Sequence, residues 1–262
     1  MDKQDAPTPS TPLPEKIGHY LVKKLIGKGG MGEVYLCFDP HTERDVALKR
    51  IRPEMHEIPL IRQRFLKEAK IAAQLTHPAI LAVYSIEEGD KDIFYVMPFI
   101  QGKTLKALLA EYRKSKASTI HLVRDFLTVC HAVQYAHSKG VLHRDLKPEN
   151  TYMAPERILE KLDTVQSDIY SLGVILYQIL TLKHPFRRVS VKQFKQEVRH
   201  EKVNDPIDVA PMREIPPLLA KIAMKSLSFK KEERYQSLRD MIADLEHYFE
   251  GKADWVFSAR LD

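Results

Sequence analysis

A disulfide framework is excluded first. The 262 residues hold only two cysteines, Cys37 and Cys130, which points to a reducing interior and a cytoplasmic location. No apolar run approaches the roughly 20 residues that a membrane helix needs, so no membrane segment is expected. The N-terminus also lacks the charged-then-apolar layout of a secretory signal. The eleven histidines form no His-Glu-x-x-His and share no ligand spacing with the cysteines, which argues against a transition-metal site. No internal repeat is visible. The net charge is +6, but Lys and Arg are spread along the whole chain, so no nucleic-acid partner is expected. That excess reads as a solvated, mildly basic surface, or as a face for phosphorylated or acidic partners. At 44% hydrophobic and 29% charged, the chain has the composition of an ordinary globule: one large domain, or two small lobes sharing a cleft.

The pattern along the chain changes twice. Residues 1–17 carry Pro7, Pro9, Pro12 and Pro14 among Ser, Thr and charges, and read as a disordered lead-in. Residues 18–98 alternate short apolar runs with turns, predicting strands at Tyr20 to Ile26, Glu33 to Phe38, Val46 to Ile51, Ile80 to Ile86 and Ile93 to Met97. One helix interrupts them over 59–75, with Ile61, Phe65, Ala69, Ala72 and Ala73 on its apolar face, closed by His77-Pro78. Gln101-Gly102 ends this pattern, and helices dominate from 99 to 249. The run from Ser167 to Leu182 is apolar nearly all round and should be a buried central helix. Residues 190–202 read as a basic amphipathic helix, either a solvated face or a docking face. Ser237 with Asp240 three residues on suggests a capped helix to about Phe249, followed by a tail over 250–262. The expected architecture is α+β, with a small antiparallel β-sheet lobe carrying one helix and a larger α-helical lobe.

Three stretches carry chemistry. Gly27-x-Gly29-x-x-Gly32-x-Val34 lies between two predicted strands. Glycines also make ordinary hairpins, and a dinucleotide-binding fingerprint needs a following helix. A following strand instead favours a flap whose backbone N–H groups approach phosphates. Lys49 ends Val46-Ala47-Leu48-Lys49 on the third strand. It is either a surface lysine or an inward ammonium that needs a counter-charge, for which Glu68 on the helix is the candidate. The third stretch is His143-Arg144-Asp145-Leu146-Lys147-Pro148-Glu149-Asn150, followed at once by Thr151-Tyr152-Met153-Ala154-Pro155-Glu156-Arg157.

The first half of that third stretch resembles the catalytic loop of serine/threonine protein kinases, and the second half resembles the end of their activation segment. With the glycine run from Ile26 to Leu36, the chain resembles the eukaryotic-like (Hanks-type) bacterial kinases over residues 18 to 249, and within them the chlamydial PknD type. The resemblance implies a bilobal kinase fold that transfers the γ-phosphate of ATP to Ser or Thr hydroxyls of protein substrates. It implies Asp145 as the group that orients and deprotonates the hydroxyl, Lys147 at the γ-phosphate, and Asn150 as a ligand of Mg²⁺. Lys49, held by Glu68, would meet the α- and β-phosphates. Gly27, Gly29, Gly30 and Gly32 would cover them, with adenine near Ile26, Val34 and Ala47. Met97 resembles the gatekeeper, and backbone groups of Pro98 and Ile100 the hinge contacts. Arg144 would pair with a phosphate on the activation loop, Asp168 would brace the catalytic-loop backbone, and Glu156 would pair with Arg234. Thr151 directly precedes Tyr152, so the family's substrate-side threonine has no counterpart there.

The chain departs from the pattern at one peptide bond. Nothing separates Asn150 from Thr151, where the family carries a strand, Asp-Phe-Gly and the activation loop. The second metal ligand, the Asp of that motif, is absent. Three origins fit the join: a natural pseudokinase, a chain from which a flexible loop was excised, or a sequence that omits a segment the gene encodes. Retention of Asp145 and Lys147, for which a binding-only protein has no chemical need, favours the last two over the first. The alternative function is a catalytically inactive domain that binds nucleotide or protein. The chain specifies neither a protein substrate nor self-association.

Overall fold

The structure, a computed structural model, describes residues 13–89, 92–115, 117–144, 146, 153–186 and 203–258, of which 252–258 by backbone alone. The chain divides into two compact units, residues 1–102 and 103–262.

Among the described residues of the first unit, six antiparallel strands form one sheet. They are β1 (Lys16–Ile17), β2 (Tyr20–Lys28), β3 (Gly32–Asp39), β4 (Arg44–Ile51), β5 (Ser85–Glu88) and β6 (Ile93–Pro98), in the order β1-β2-β3-β4-β6-β5. Strand alternation sorts their side chains onto two faces. Val46 and Leu48 of β4 pack with Ile17, Tyr20, Tyr35, Cys37, Phe94 and Val96 on one face. On the other, Ile51, Ile93 and Tyr95 pack under Phe65, Leu66 and Ala69 of helix α1 (Pro59–Gln74). Pro59 at the first helical position costs α1 no hydrogen bond.

Three expectations shift here. Pairing starts at Lys16, inside the expected lead-in, because Ile17 is an anchor only 1% exposed; a two-residue strand is too short to leave a periodic signal. The strand expected over Ile80 to Ile86 is confined to Ser85–Glu88. Leu81 and Tyr84 are exposed, so apolar residues there do not mark a buried strand. Similarly, α1 buries Leu66, whereas the expected Ala73 is exposed.

Among the described residues, the second unit holds α2 (Leu105–Tyr112), α3 (Ile120–Ser138), α4 (Pro155–Leu159), α5 (Val165–Thr181), α6 (Pro206–Val209), α7 (Pro217–Ser226) and α8 (Leu238–Ser258). Its core gathers around α5, where Ile169, Leu172, Leu176 and Ile179 are almost wholly buried; α3 and α7 pack on α5, and α8 packs on both of them. Each such side chain is worth about 1.5–3 kcal/mol in area removed from water. Gly173 lets α7 come close: a Cβ there would sit 2.6 Å from that of Ser226.

The central helix begins in a capping box, in which the Thr164 hydroxyl accepts from Ser167 N at 3.1 Å and the Ser167 hydroxyl from Thr164 N at 3.3 Å. At its far end Arg213 Nε donates to Leu180 O and Arg113 Nε to Leu182 O, satisfying carbonyls the helix leaves open. Thr164→Ala should lower stability by about 1 kcal/mol. A urea titration should show an earlier midpoint with an unchanged slope.

The last helix runs past the expected end near Phe249 to Ser258. Gly251 costs a helix about 1 kcal/mol relative to Ala but does not stop it, and no proline follows. The basic helix expected over 190–202 lies outside the described residues. Both cysteines are buried and unpaired. Among the described residues no helix is long and apolar enough to cross a membrane.

Candidate active site

In the first unit the glycine run forms the β2–β3 hairpin. Gly27 pairs with Val34 and Lys28 with Glu33, and Gly29 N donates to Gly32 O at 2.8 Å to close the turn. Gly32 has no room for a side chain, since a Cβ would lie 2.9 Å from Arg50 O. Gly30 has nothing within 4 Å of that position. Ile26 falls at a register shift and is exposed.

The pairing Val34↔Lys49, Leu36↔Ala47, Ala47↔Met97 and Lys49↔Tyr95 places all six residues on one sheet face. Val34, Ala47 and Met97 thus form an apolar strip leading to the ammonium of Lys49. Pro98 closes β6 opposite Val46. It offers a carbonyl but no N–H, so a donor to a base must come from beyond it, where Ile100 is exposed.

Lys49 Nζ lies 2.5 Å from Glu68 Oε1. The same oxygen accepts from the hydroxyl of Tyr95 at 3.0 Å. Sequence reasoning did not single out Tyr95. On a strand it reads as one more aromatic, and its hydroxyl partner is set by how α1 packs.

In the second unit the structure brings together His143 and Arg144, upstream of the join, with Arg157 and Asp168, downstream of it. Asp168, at the start of α5, is buried and takes three hydrogen bonds: His137 Nε2 at 2.8 Å and His143 N at 2.9 Å on one oxygen, Arg144 N at 3.0 Å on the other. Burial pushes its carboxyl up, but the bonds from His137 and the two backbone groups outweigh it and hold it below the usual range. Arg144 has φ +64°, a left-handed conformation that a non-glycine residue adopts only when its surroundings impose it. Those surroundings are Asp168 on its N–H and Arg157, whose Nη1 donates to its carbonyl. The Arg144 side chain lies 3.5 Å from Asp163, which also accepts from Arg157 Nε at 2.7 Å. Arg157, Asp163 and His137 were not foreseen. The one available signal was the His137-Ser138-Lys139-Gly140 end of a long helix shortly before His143.

Glu156 and Arg234 form a two-pronged pair at 2.8 and 2.9 Å, and Ser167 donates to Glu156 at 2.8 Å. Burial pushes the Glu156 carboxyl up, and the Arg234 bond overrides it, leaving it below the usual range. Asp145, Lys147, Asn150, Thr151 and Tyr152 lie outside the described residues.

Among the described residues one group has metal-ligand chemistry: His19, Asp39 and His41, with donor atoms within 4.8 Å of one another. The two imidazoles stack at 10° between planes, so their in-plane lone pairs run parallel and do not converge. Asp39 accepts from His41 N and the Thr42 hydroxyl, which makes this a capped turn. Mg²⁺ needs hard oxygen ligands, usually one or two carboxylates besides phosphate. Asn150, expected as one of these ligands, lies outside the described residues.

Comparison with known proteins bears on the fold and the family. The crystal structure of the Mycobacterium tuberculosis PknI kinase domain is similar in fold, with a TM-score of 0.69 at 24% identity over 88% of this chain and 96% of that one. The serine/threonine-protein kinase PknD of Protochlamydia amoebophila is 41% identical over 315 residues, covering 97% of this chain and 32% of that protein. The PknD of Chlamydia pneumoniae is 35% identical over 302 residues, covering 92% of this chain and 32% of that protein. The chain thus spans about a third of the length of these relatives. The family model described as "Protein kinase domain" matches residues 20–151 and 150–245, two pieces that meet at the Asn150–Thr151 join. The chain therefore belongs to the protein kinase domain family.

Proposed function

We propose that the chain is a cytoplasmic serine/threonine protein kinase domain, whose reaction transfers the γ-phosphate of ATP to Ser or Thr hydroxyls of protein substrates. The observation that carries this reading is the Lys49–Glu68 pair at 2.5 Å, standing on the same sheet face as Val34, Ala47 and Met97 and beside the glycine hairpin. An ammonium fixed next to an apolar strip suits a nucleotide, with the base on the strip and the phosphates toward Lys49. Gly27, Gly29, Gly30 and Gly32 then let backbone N–H groups approach the phosphates. Ile26, Pro98 and Ile100 complete the base-binding set. Asp145 and Lys147 carry the transfer, and Asn150 is a ligand of the Mg²⁺ that enters with ATP.

A second reading has its own support. The chain contains no Asp-Phe-Gly, and the alignment with the Protochlamydia relative runs over 315 residues, longer than the 262-residue chain. As joined, the domain keeps nucleotide recognition and transfers phosphate close to background, in the manner of a pseudokinase. Calorimetric titration with Mg-ATP and a transfer assay on a basic protein substrate test both readings. Lys49→Met should weaken ATP binding about tenfold or more, since a charge-assisted bond to phosphate contributes about 1.5–3 kcal/mol. Transfer that disappears in Asp145→Asn would assign catalysis to this chain. Binding with no transfer would assign the second reading, and absence of ATP binding would overturn the first and leave of the second only a domain that binds protein.

A further inference from the structure

The Lys49–Glu68 pair is partly open to water, with 22% and 43% of the two side chains exposed. A pair this wet is weak by itself and leaves both long side chains free to take other rotamers. The structure places a stiffer group against it. Tyr95 lies on β6 opposite Lys49 and is buried, its ring 5.3 Å from that of Phe65 on α1. Its hydroxyl donates to the same Glu68 oxygen that Lys49 approaches. The Lys49 ammonium also sits 5.6 Å from the centre of the Tyr95 ring, within reach of its negative face. The packed ring is held in one rotamer, so the sheet fixes where its hydroxyl oxygen lies. Burial, reinforced by the Glu68 carboxylate, pushes the Tyr95 phenol up, so it remains a donor at any working pH.

We propose that Tyr95 is a positioning residue: its hydroxyl holds Glu68, Glu68 holds Lys49, and the pair therefore forms within the β-rich unit without the segment missing between Asn150 and Thr151. This rests on the reading of Lys49 as the phosphate-facing lysine, but the tether itself can be measured without nucleotide. The probe is the rate at which an amine-acylating reagent labels Lys49 in the whole chain, read by peptide mass spectrometry, with the exposed Lys67 and Lys70 of α1 as internal references.

Tyr95→Phe removes one oxygen and keeps the ring. It should speed Lys49 labelling about tenfold or more, the range expected for one hydrogen bond to a charged group, and leave Lys67 and Lys70 unchanged. Glu68→Gln should speed it similarly, and the double variant should be no faster than the faster single one. Unchanged labelling in Tyr95→Phe at an unchanged melting temperature would overturn the proposal. So would additive effects in the double variant, which would mean that Tyr95 acts by packing and not through Glu68. ATP titration forms a separate arm, in which Tyr95→Phe should weaken binding by a similar factor. A chain that shows the tether in labelling but binds no ATP would overturn the nucleotide reading and leave the tether standing.

Discussion

Arg234→Met should cost the folded chain about 3–5 kcal/mol, the loss expected when one partner of a buried ion pair is removed. The guanidinium is 0% exposed, and all five of its N–H groups are used. Two donate to Glu156, and the others to the carbonyls of Ser228, Gln166 and Phe229 at 2.7–2.9 Å. Its plane also sits 4.8 Å over the ring of Tyr170. Removing it strands the Glu156 carboxylate in a buried setting and takes a donor from three carbonyls. Urea unfolding followed by circular dichroism measures the loss. Arg234→Met combined with Glu156→Leu should recover part of it, because no buried charge is then left alone. A cost below about 1 kcal/mol for the single variant would show that the pair is replaceable by water.

pH gives an independent readout of the same pair. The carboxyls of Glu156 and Asp168 are both held below their usual range on folding. Each therefore adds stability that is fully present above its unfolded value, about 4, and that drains away as pH falls through the lowered folded value. The wild-type chain should lose stability below about pH 4. In Arg234→Met the Glu156 share of that slope should vanish while the Asp168 share remains.

Arg234 also shows where sequence reading succeeds. Glu156 and Arg234 were paired in advance only because each stands in a short motif of a known family; 78 positions separate them. The central helix was legible without any resemblance. Ile169, Leu172, Val174, Leu176 and Ile179 leave no polar face, and the structure buries all five. The glycine hairpin and Lys49 were legible because turn residues and strand alternation are local signals. What escaped depends on distant packing. Tyr95 is an ordinary strand aromatic until α1 lays Glu68 over it. His137 is an ordinary end-of-helix histidine until the start of α5 brings Asp168 within 2.8 Å. Ile17 looked like the end of a proline-rich lead-in because a two-residue strand has no period to detect.

Inserting a family segment that carries Asp-Phe-Gly and an activation loop between Asn150 and Thr151 should raise phosphate transfer by about 10³-fold or more. Loss of a single preorganised electrostatic group in an active site costs about 10²–10³ in rate, and the inserted Asp would add a hard carboxylate. The anchors on either side of the join are already built. Upstream, Asp168 and Arg157 clamp the peptide of Arg144 from its two sides, just ahead of Asp145. Downstream, Ala154 is fully buried and Glu156 is locked to Arg234, so the returning chain has a fixed landing point. Arg144, 62% exposed and paired with Asp163 only at 3.5 Å, is available for a phosphate on the restored loop. The insertion should therefore leave stability nearly unchanged while changing rate. Replacing the inserted Asp of that motif by Asn should remove most of the gain, and Asp145→Asn should remove all of it. An insertion that binds ATP as tightly as the parent chain yet transfers no faster would show that the defect lies in Asp145 or Lys147 themselves, and not in what is missing beside them.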